Sequence, residues 1–484
     1  MALLSNLIIG MLKATGLDEG VNTINGYTLS EGEEYIIPAG TNILTAPIII
    51  PAGVTNAIVR GETSDRADTI LIATYPHATA DTMIFADGDY PGGASLTTIA
   101  ATTTVDSTTL SLTDASSVAV PNYYVARQYN SQAHFERHVG LADGTGYNTS
   151  GNRGSGNLPY VRNVIVYAES KATNDLTLEE AVGQVFDTTA DTEIKLLDPV
   201  VNPIIKDLTL YYFPGIAIDS DTPDASDYTN AYPDYLVSPI KLSGVVNPTL
   251  QNLAIYYAGQ NAILLDGVYK GTIGNASGND DDIYIEGAWN KGTGGNGYGP
   301  EISRTYYANF NNIKTRGMRH FTVQWSSFGN TIDDIDIDSD LNFHGGVIGS
   351  RHRVATSALR NIVKNATIAP RVGHTPGYGT NVSRTPASAT FAPPDYRGSN
   401  KAYSDNLTTE IEPELIIPTN SLDFELSSSQ DFRMTNANWG AYNRAKYAVS
   451  IWVKRESITA LMRFFGKGTG TANTEFFLAF DAAD

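Results

Sequence analysis

The chain of 484 residues contains no cysteine, so disulfide bridges and thiolate metal sites are both excluded. Charged residues are scarce as well, at 17% of the chain against the roughly 25% usual for soluble globular proteins. Among them, 32 basic residues are outnumbered by 52 acidic ones, which gives a formal charge of −20. A field of that sign disfavours nonspecific binding to nucleic acid and to anionic membranes.

Long hydrophobic runs are missing too, because no stretch reaches the length of a membrane-spanning helix. The N-terminus is apolar but has neither the basic n-region nor the cleavage site of a secretory signal. Its apolar residues at positions 3, 4, 7, 8, 11 and 12 predict an amphipathic helix within residues 1–21. Such a helix either docks onto a partner or caps the core of its own chain.

The residues that are plentiful favour strands and turns. The chain has 44 glycines and 27 tyrosines, and threonine, serine and asparagine supply most of its polar groups. This mixture suits short strands joined by tight turns and suits helices poorly. The composition therefore predicts an all-β protein.

A repeated motif runs through the middle of the chain. Segment 200–212, VVNPIIKDLTLYY, matches segment 245–257, VVNPTLQNLAIYY, at an offset of 45. Its core is an Asp or Asn followed by apolar, any and apolar residues, and it begins at positions 207, 252, 282, 312, 334 and 365. Irregular periods of this size in strand-forming sequence predict a parallel β-solenoid, in which the leading Asp and Asn side chains stack as a ladder.

Changes of composition divide the chain into four parts, of which the N-terminal segment 1–21 is the first. Residues 22–370 carry the solenoid pattern, with a small β insertion at about 96–195 that includes a short helical segment at 176–182. Residues 371–418 are rich in Pro, Gly and Ser and are predicted to be a linker. Residues 419–484 show alternating strands of a β-sandwich, a domain that needs about 100 residues. We therefore expect the sandwich to be incomplete at Asp484.

Carboxylates and a histidine near residue 340 are the candidate catalytic groups, namely Asp338, Asp340 and His344. Two carboxylates on either side of a sugar bond are the usual equipment of glycoside hydrolysis, and histidine transfers protons near neutral pH. Asp336 alternates with the first two, so one strand face would carry three acids. That face is also compatible with a solvated surface, which we favour, or with a calcium site. No zinc-ligand pattern is present, and apart from possible calcium no cofactor is predicted.

Aromatic and basic residues beside these groups are candidates for substrate binding: His320, Trp325, Arg351, His352 and Arg353. An arginine binds a sugar carboxylate through two parallel hydrogen bonds, and a tryptophan ring can pack on a sugar face. Trp325 is at least as compatible with burial in the solenoid core, and His344 is also compatible with a histidine stacked within the solenoid.

Three segments resemble a known group of proteins. Segment 46–61, APIIIPAGVTNAIVRG, and segment 199–210, PVVNPIIKDLTL, resemble the right-handed parallel β-helix tailspikes and tail fibres of bacteriophages, whose fold is related to that of pectate lyases. The likeness covers about residues 25–370. Segment Ser450–Arg455, together with FGKG at 465–468, resembles a concanavalin-like (laminin-G-type) carbohydrate-binding sandwich.

The resemblance implies a homotrimeric appendage of a phage particle that contacts polysaccharide on the host cell surface. Its N-terminus would join other tail proteins, and the spike would bind a host glycan without binding nucleic acid or inserting into a membrane. Because such spikes include both hydrolases or lyases and inert adhesins, cutting of the glycan is left open. Two other classes also remain open, a structural virion fibre or adaptor and a secreted polysaccharide lyase or hydrolase.

Overall fold

The computed structural model describes residues 21–75, 78–104, 106–129, 160–183, 186, 188, 191–213, 237–275, 281–289, 297–324, 327–343, 361–368, 401–402, 462–463 and 479–480. Within these ranges the only helix is the three-residue 3-10 turn Arg66–Asp68, and every other regular element is a strand. The prediction of an all-β protein is therefore confirmed. None of the described segments forms a helix with the length and apolarity needed to cross a membrane.

In chain order the strands are β1 Asn22–Ile24, β2 Tyr27–Thr28, β3 Glu34–Ile37, β4 Gly40–Leu44, β5 Ile48–Pro51, β6 Ile58–Gly61, β7 Thr69–Ala73, β8 Thr82–Asp87, β9 Ser95–Thr97, β10 Thr109–Ser111, β11 Asn122–Tyr129, β12 Tyr160–Ala172, β13 Asp175–Leu178, β14 Thr192–Leu196, β15 Val200–Val201, β16 Ile204–Tyr212, β17 Ser238–Val246, β18 Thr249–Ala258, β19 Ile263–Ile273, β20 Ile283–Ala288, β21 Tyr298–Arg316, β22 His320–Gln324, β23 Thr331–Ile337, β24 Asp340–Phe343, β25 Ile362–Ile368, β26 Lys401–Ala402, β27 Met462–Arg463 and β28 Ala479–Phe480.

The main sheet joins β1–β8 and β15–β26, and its strands pair in parallel. Its register follows the repeat seen in the sequence. Each strand pairs at the position just after the leading Asp or Asn, in the order Leu208, Leu253, Ile283, Ile313, Ile335 and Ala366. Successive offsets are 45, 30, 30, 22 and 31 residues, so the spacing of the motif predicted the pairing register.

The core lies on the inward side of these strands. Apolar side chains at paired positions form continuous columns, such as Leu71, Leu210, Ile255 and Ile285, all with no exposed surface. One repeat cannot bury its inward side chains alone, because each column is covered by the neighbouring repeats. Burying apolar surface stabilises the fold by about 25 cal/mol for each Å². In this sheet each repeat gains that stabilisation by packing against its neighbours.

The leading Asp and Asn residues mark a bend in the backbone. Asp207, Asn252, Asn312 and Asp334 have φ values of 59°, 49°, 52° and 52°, in the left-handed region. Asp and Asn enter this region more readily than other side-chain-bearing residues, which explains why the motif begins with them. Asn252 Nδ2 donates to Asp207 Oδ1 at 2.8 Å, as the predicted side-chain ladder requires.

A second ladder of three asparagines runs along a neighbouring bend. Asn247 Nδ2 donates to Asn202 Oδ1 at 2.9 Å, and Asn202 Nδ2 donates to Asn56 Oδ1 at 3.1 Å. Asn202 also has a left-handed backbone, with φ of 52°. The middle asparagine therefore combines two side-chain hydrogen bonds with a backbone conformation that alanine disfavours.

We expect Asn202→Ala to lower the free energy of unfolding by about 2 kcal/mol, because it removes both ladder bonds and strains the backbone. Asn202→Gly keeps the bend relaxed, so it should cost less than the alanine variant. Chemical denaturation of the two variants measures the difference. Equal stability of Asn202→Ala and the wild type would contradict a stabilising role for the ladder.

The second sheet is antiparallel and lies between β8 and β15 in the chain. Its strand order is β10, β13, β12, β11, β14 and β9, and it spans the region that the sequence assigns to an insertion. The helix predicted at 176–182 is wrong, since Asp175–Leu178 is a strand and residues 179–182 form no helix. Leu176 and Leu178 are buried while Asp175 and Thr177 are exposed, which is the two-residue period of a strand.

The insertion sheet packs against the main sheet through tyrosines. The hydroxyl groups of Tyr306 and Tyr307 donate to the backbone carbonyls of Asn163 and Ala181. After the insertion the chain returns to the main sheet, where β16 pairs with β6 and β7.

The chain divides into two compact units, Met1–Ile416 and Ile417–Asp484. In the second unit the described residues are β27 and β28, which pair antiparallel. The predicted N-terminal helix at 1–21 lies outside the described residues except for Val21. The predicted linker at 371–418 and sandwich at 419–484 also lie outside them, apart from β26, β27 and β28.

Candidate functional site

Tyrosines and a carboxylate form a continuous stripe on the outward side of the main sheet. Because side chains alternate along a strand, the residue after each inward Leu210, Ile255 and Ile285 points away from the core. These outward positions pair directly, Tyr211 with Tyr256 and Tyr256 with Glu286. We use the name tyrosine stripe for Tyr211, Tyr256, Tyr257, Tyr284 and Glu286, all of which are partly exposed.

The rings of the stripe are stacked at one end and tilted at the other. The rings of Tyr211 and Tyr256 are stacked and nearly parallel, with centroids 4.7 Å apart and an interplanar angle of 12°. Tyr256 is tilted by 56° from Tyr284 and by 50° from Tyr257, at 5.7 and 6.5 Å. Stacked rings cover one another, whereas tilted rings leave part of each aromatic face uncovered.

A buried tryptophan and a phenylalanine support the stripe from one side. Trp289 is 5% exposed, and its indole nitrogen donates to the backbone carbonyl of Tyr212 at 2.8 Å. Its ring lies 5.8 Å from Tyr257 and 6.4 Å from Phe213. Because the indole is fixed by packing and by this hydrogen bond, it holds Tyr257 in place.

Glu286 lies among the tyrosine rings. Its Oε2 atom accepts a hydrogen bond from the Tyr284 hydroxyl at 2.7 Å. Among the described residues, no lysine, arginine or histidine forms an ion pair with it. The stripe therefore carries one carboxylate that takes part in no ion pair within the described part of the chain.

The pKa values of the four tyrosines in the stripe are raised, in part by the nearby Glu286 carboxylate. Burial is the main cause in all four cases, and it raises the pKa of Tyr211 to about 12, with neighbouring tyrosines and Glu286 adding to the effect. Burial and then the Glu286 charge raise the pKa of Tyr256 and of Tyr257. Burial and the hydrogen bond to Glu286 raise that of Tyr284. The four hydroxyls thus stay protonated at neutral pH and can donate hydrogen bonds.

Each basic residue around the stripe is bonded to groups other than Glu286. Arg316 forms an ion pair with Asp336 and donates to the backbone carbonyl of Asp336 at 3.0 Å. Lys314 pairs with Asp281 at 3.0 Å. Arg66 donates to three backbone carbonyls, those of Leu253, Asp281 and Asp282, at 2.8 to 3.0 Å. Lys314 and Arg316 are therefore in ion pairs, whereas Arg66 keeps its positive charge near Tyr256.

Of the residues predicted to be catalytic, Asp338 is fully described. Both of its carboxylate oxygens accept from the backbone N–H of Gly317, each at 3.1 Å. Asp340 belongs to β24, where it pairs in register with His320 of β22. The structure thus places Asp340 and His320 on adjacent strands. His344 lies outside the described residues.

Of the residues predicted to bind substrate, His320 is described. It is 2% exposed, and its ring lies 5.3 Å from that of Tyr298. The His320 side chain is thus buried in the described structure. Trp325, Arg351, His352 and Arg353 lie outside the described residues. Across the described ranges, no group of three or more carboxylates and histidines has the geometry of a metal site.

The tyrosine stripe was not among the site residues predicted from the sequence. A signal for it was nevertheless present, because the aligned repeats both end in a Tyr–Tyr pair, at 211–212 and 256–257. The first tyrosine of each pair faces outward, and Tyr212 is buried. Two outward tyrosines at equivalent positions of paired strands come within stacking distance of each other, because neighbouring strands lie about 4.8 Å apart.

Comparisons with known proteins find no matching family model and no match among curated proteins. Solved structures similar to this chain include the tailspike protein gp49 from Pseudomonas phage LKA1, at 11% identity and a TM-score of 0.38, covering 70% of this chain and 55% of that one. The Gp54 tailspike of Acinetobacter baumannii bacteriophage AP22, solved in complex with A. baumannii capsular saccharide, has 9% identity and a TM-score of 0.30, covering 75% and 54%.

The tailspike gp61 from Pseudomonas phage phi297 has 12% identity and a TM-score of 0.31, covering 69% of this chain and 60% of that one. The chain thus spans between 54% and 60% of the length of these three structures. Because all three TM-scores are low, we base the proposed function on this chain's own residues.

Proposed function

We propose that this chain is a receptor-binding tailspike or tail fibre of a bacteriophage, which recognises polysaccharide on the host cell surface. In this proposal the main sheet is a right-handed parallel β-helix, the spike is a homotrimer, and the N-terminus joins other tail proteins. The observation that carries the glycan-binding role is the tyrosine stripe. Partly exposed aromatic rings beside hydrogen-bonding groups are the surface that a sugar requires.

The physical basis is the two-sided character of a sugar ring. Its C–H face packs on an aromatic ring, while its hydroxyl groups need polar partners at the edge. Tyr256, Tyr257 and Tyr284 offer ring surface, and the Glu286 carboxylate accepts hydrogen bonds beside them. The stripe crosses three neighbouring strands, so it can contact successive sugars of one chain.

We expect Tyr256→Ala to weaken binding of host-surface polysaccharide about 10-fold or more, because Tyr256 contacts every other tyrosine of the stripe and central tyrosines dominate binding surfaces. Binding of the purified protein to a panel of bacterial surface polysaccharides, measured by biolayer interferometry, tests this.

The matched control is Tyr27→Ala. Tyr27 also stacks on a partly exposed neighbour, Tyr35, at 4.6 Å and 13°, but it belongs to the first repeat and not to the stripe. The Tyr27→Ala variant should bind polysaccharide as tightly as the wild type does. Equal binding by the Tyr256 and Tyr27 variants would remove the stripe from the proposal. Absence of binding to any polysaccharide would favour a structural fibre or adaptor.

Cutting of the glycan is the second part of the proposal, with Asp338, Asp340 and His344 as its candidate catalytic residues. Size-exclusion chromatography of the bound polysaccharide detects shortened chains, and absorbance of unsaturated uronate ends separates a lyase from a hydrolase. If chains are shortened, Asp340→Asn and His344→Ala are expected to abolish the cutting. Binding without shortening would make the protein an adhesin.

A further inference from the structure

The tilted end of the tyrosine stripe combines two features that act on the same kind of ligand. Tyr256, Tyr257 and Tyr284 are partly exposed, and each of the latter two is tilted by 50° or more from Tyr256. Glu286 lies beside them and is held by the Tyr284 hydroxyl at 2.7 Å. The negative face of an aromatic ring and a carboxylate both attract positive charge.

The charges that face Glu286 do not neutralise it. Arg316 is on the paired position of the next strand, but its guanidinium is engaged by Asp336. Lys314 is engaged by Asp281, and Arg66 by three backbone carbonyls. Each of the two ion pairs has zero net charge. Arg66 keeps its positive charge, which acts on Tyr256 and also on the Asp282 carboxylate. Within the stripe itself the charged group is the Glu286 carboxylate, which no cation of the described residues engages in an ion pair.

We propose that this end of the stripe binds a protonated amino group on the host glycan, so that the preferred ligand is a sugar with a free amine. The inference deepens the proposed function and rests on it. The ammonium group would lie against the exposed parts of these tyrosine rings and donate hydrogen bonds to Glu286. Removing water from both groups strengthens the attraction, since cation–π contacts gain when they are desolvated.

The same arrangement disfavours the other common sugar substituents. A uronate or sialate carboxylate would lie close to Glu286, and like charges repel at short range. An N-acetyl group carries no charge, so it lacks both the cation–π attraction and the charge-assisted hydrogen bonds to Glu286. The overall charge of −20 acts in the same direction, because it attracts cationic polymers over a longer range.

A matched pair of probes isolates the amine. The first is a glucosamine tetrasaccharide, and the second is its fully N-acetylated counterpart. Isothermal titration calorimetry at about pH 6 keeps most of the sugar amine protonated. We expect the wild-type protein to bind the amine form about 10-fold more tightly, a difference of about 1.4 kcal/mol.

Substitutions then assign the preference to Glu286. Glu286→Gln keeps the shape and the hydrogen bond to Tyr284, so it should remove most of the 10-fold preference while the protein stays folded. The matched control is Glu33→Gln, because Glu33 also accepts a hydrogen bond from a tyrosine that stacks on another, Tyr27 on Tyr35. This control should keep the preference of the wild type.

Three outcomes would overturn the inference: equal or reversed affinity for the two tetrasaccharides, binding of neither, or a preference that persists in Glu286→Gln. Failure of the proposed function has a different signature. In that case Tyr256→Ala would not change binding to the surface polysaccharide panel. A protein that needs Tyr256 for polysaccharide but ignores the amine keeps the proposed function and loses this inference.

Discussion

Replacing Gly274 by alanine is expected to lower the free energy of unfolding by more than about 4 kcal/mol, which places it among the most damaging single substitutions. Gly274 follows β19 with φ of +82°, and an added Cβ would lie 1.8 Å from the backbone oxygen of Asn311. Real carbon atoms do not approach an oxygen that closely. The backbone would have to move, and the hydrogen bond from Gly274 N to the Leu250 carbonyl, at 2.8 Å, would be stretched or lost.

The control for this substitution is Gly32→Ala. Gly32 has a similar backbone, with φ of +66°, but an added Cβ meets nothing within 4 Å. It should therefore cost only the backbone strain, about 1–2 kcal/mol. Thermal unfolding measures both variants. A melting temperature of Gly274→Ala within a few degrees of that of Gly32→Ala would show that the repeats can separate at this point without loss.

The fold could be predicted from the sequence because its determinants are local and repeated. The motif that begins at Asp207 and Asn252 specifies both inward apolar residues and a left-handed bend, and the bend recurs at Asn312 and Asp334. A register set in this way needs no knowledge of distant contacts. The helix predicted at 176–182 failed because the alternation of Leu176 and Leu178 is too short to distinguish from a helical turn.

The candidate site was harder to predict, because it depends on how strands from separate repeats align. Tyr211, Tyr256 and Glu286 are far apart in the chain and become neighbours only through the offsets of 45 and 30 residues. The sequence argument instead followed residue chemistry within one short segment, around Asp338 and His344. Residue type identifies candidates for proton transfer, whereas an aromatic surface emerges only after the strands have been aligned.

The insertion sheet supplies the second large effect that we expect. Arg127 and Glu193 lie opposite each other on β11 and β14, and Arg127 Nη1 is 3.0 Å from Glu193 Oε1. Their side chains are 2% and 10% exposed. Arg127 Nε also donates to Asn163 Oδ1 on β12, at 2.7 Å. The three central strands of this sheet are therefore joined by one row of buried polar side chains.

Arg127→Met should lower the free energy of unfolding by about 3–5 kcal/mol, because it leaves the Glu193 carboxylate buried without its main partner. Lys195, whose Nζ lies 3.9 Å from Glu193 Oε1, can offset part of this loss. The double variant Arg127→Met, Glu193→Leu removes both charges, and replacing a buried ion pair by apolar groups is often close to neutral. It should recover most of the lost stability.

Thermal and chemical unfolding of the wild type, both single variants and the double variant form a closed cycle that isolates the coupling between the two side chains. Recovery in the double variant would show that the cost lies in the unpaired carboxylate. A double variant as unstable as Arg127→Met would instead assign the loss to the packing and hydrogen bonds of the arginine itself. Since Asn163 also accepts the Tyr306 hydroxyl through its carbonyl, damage to this row should loosen the insertion from the main sheet.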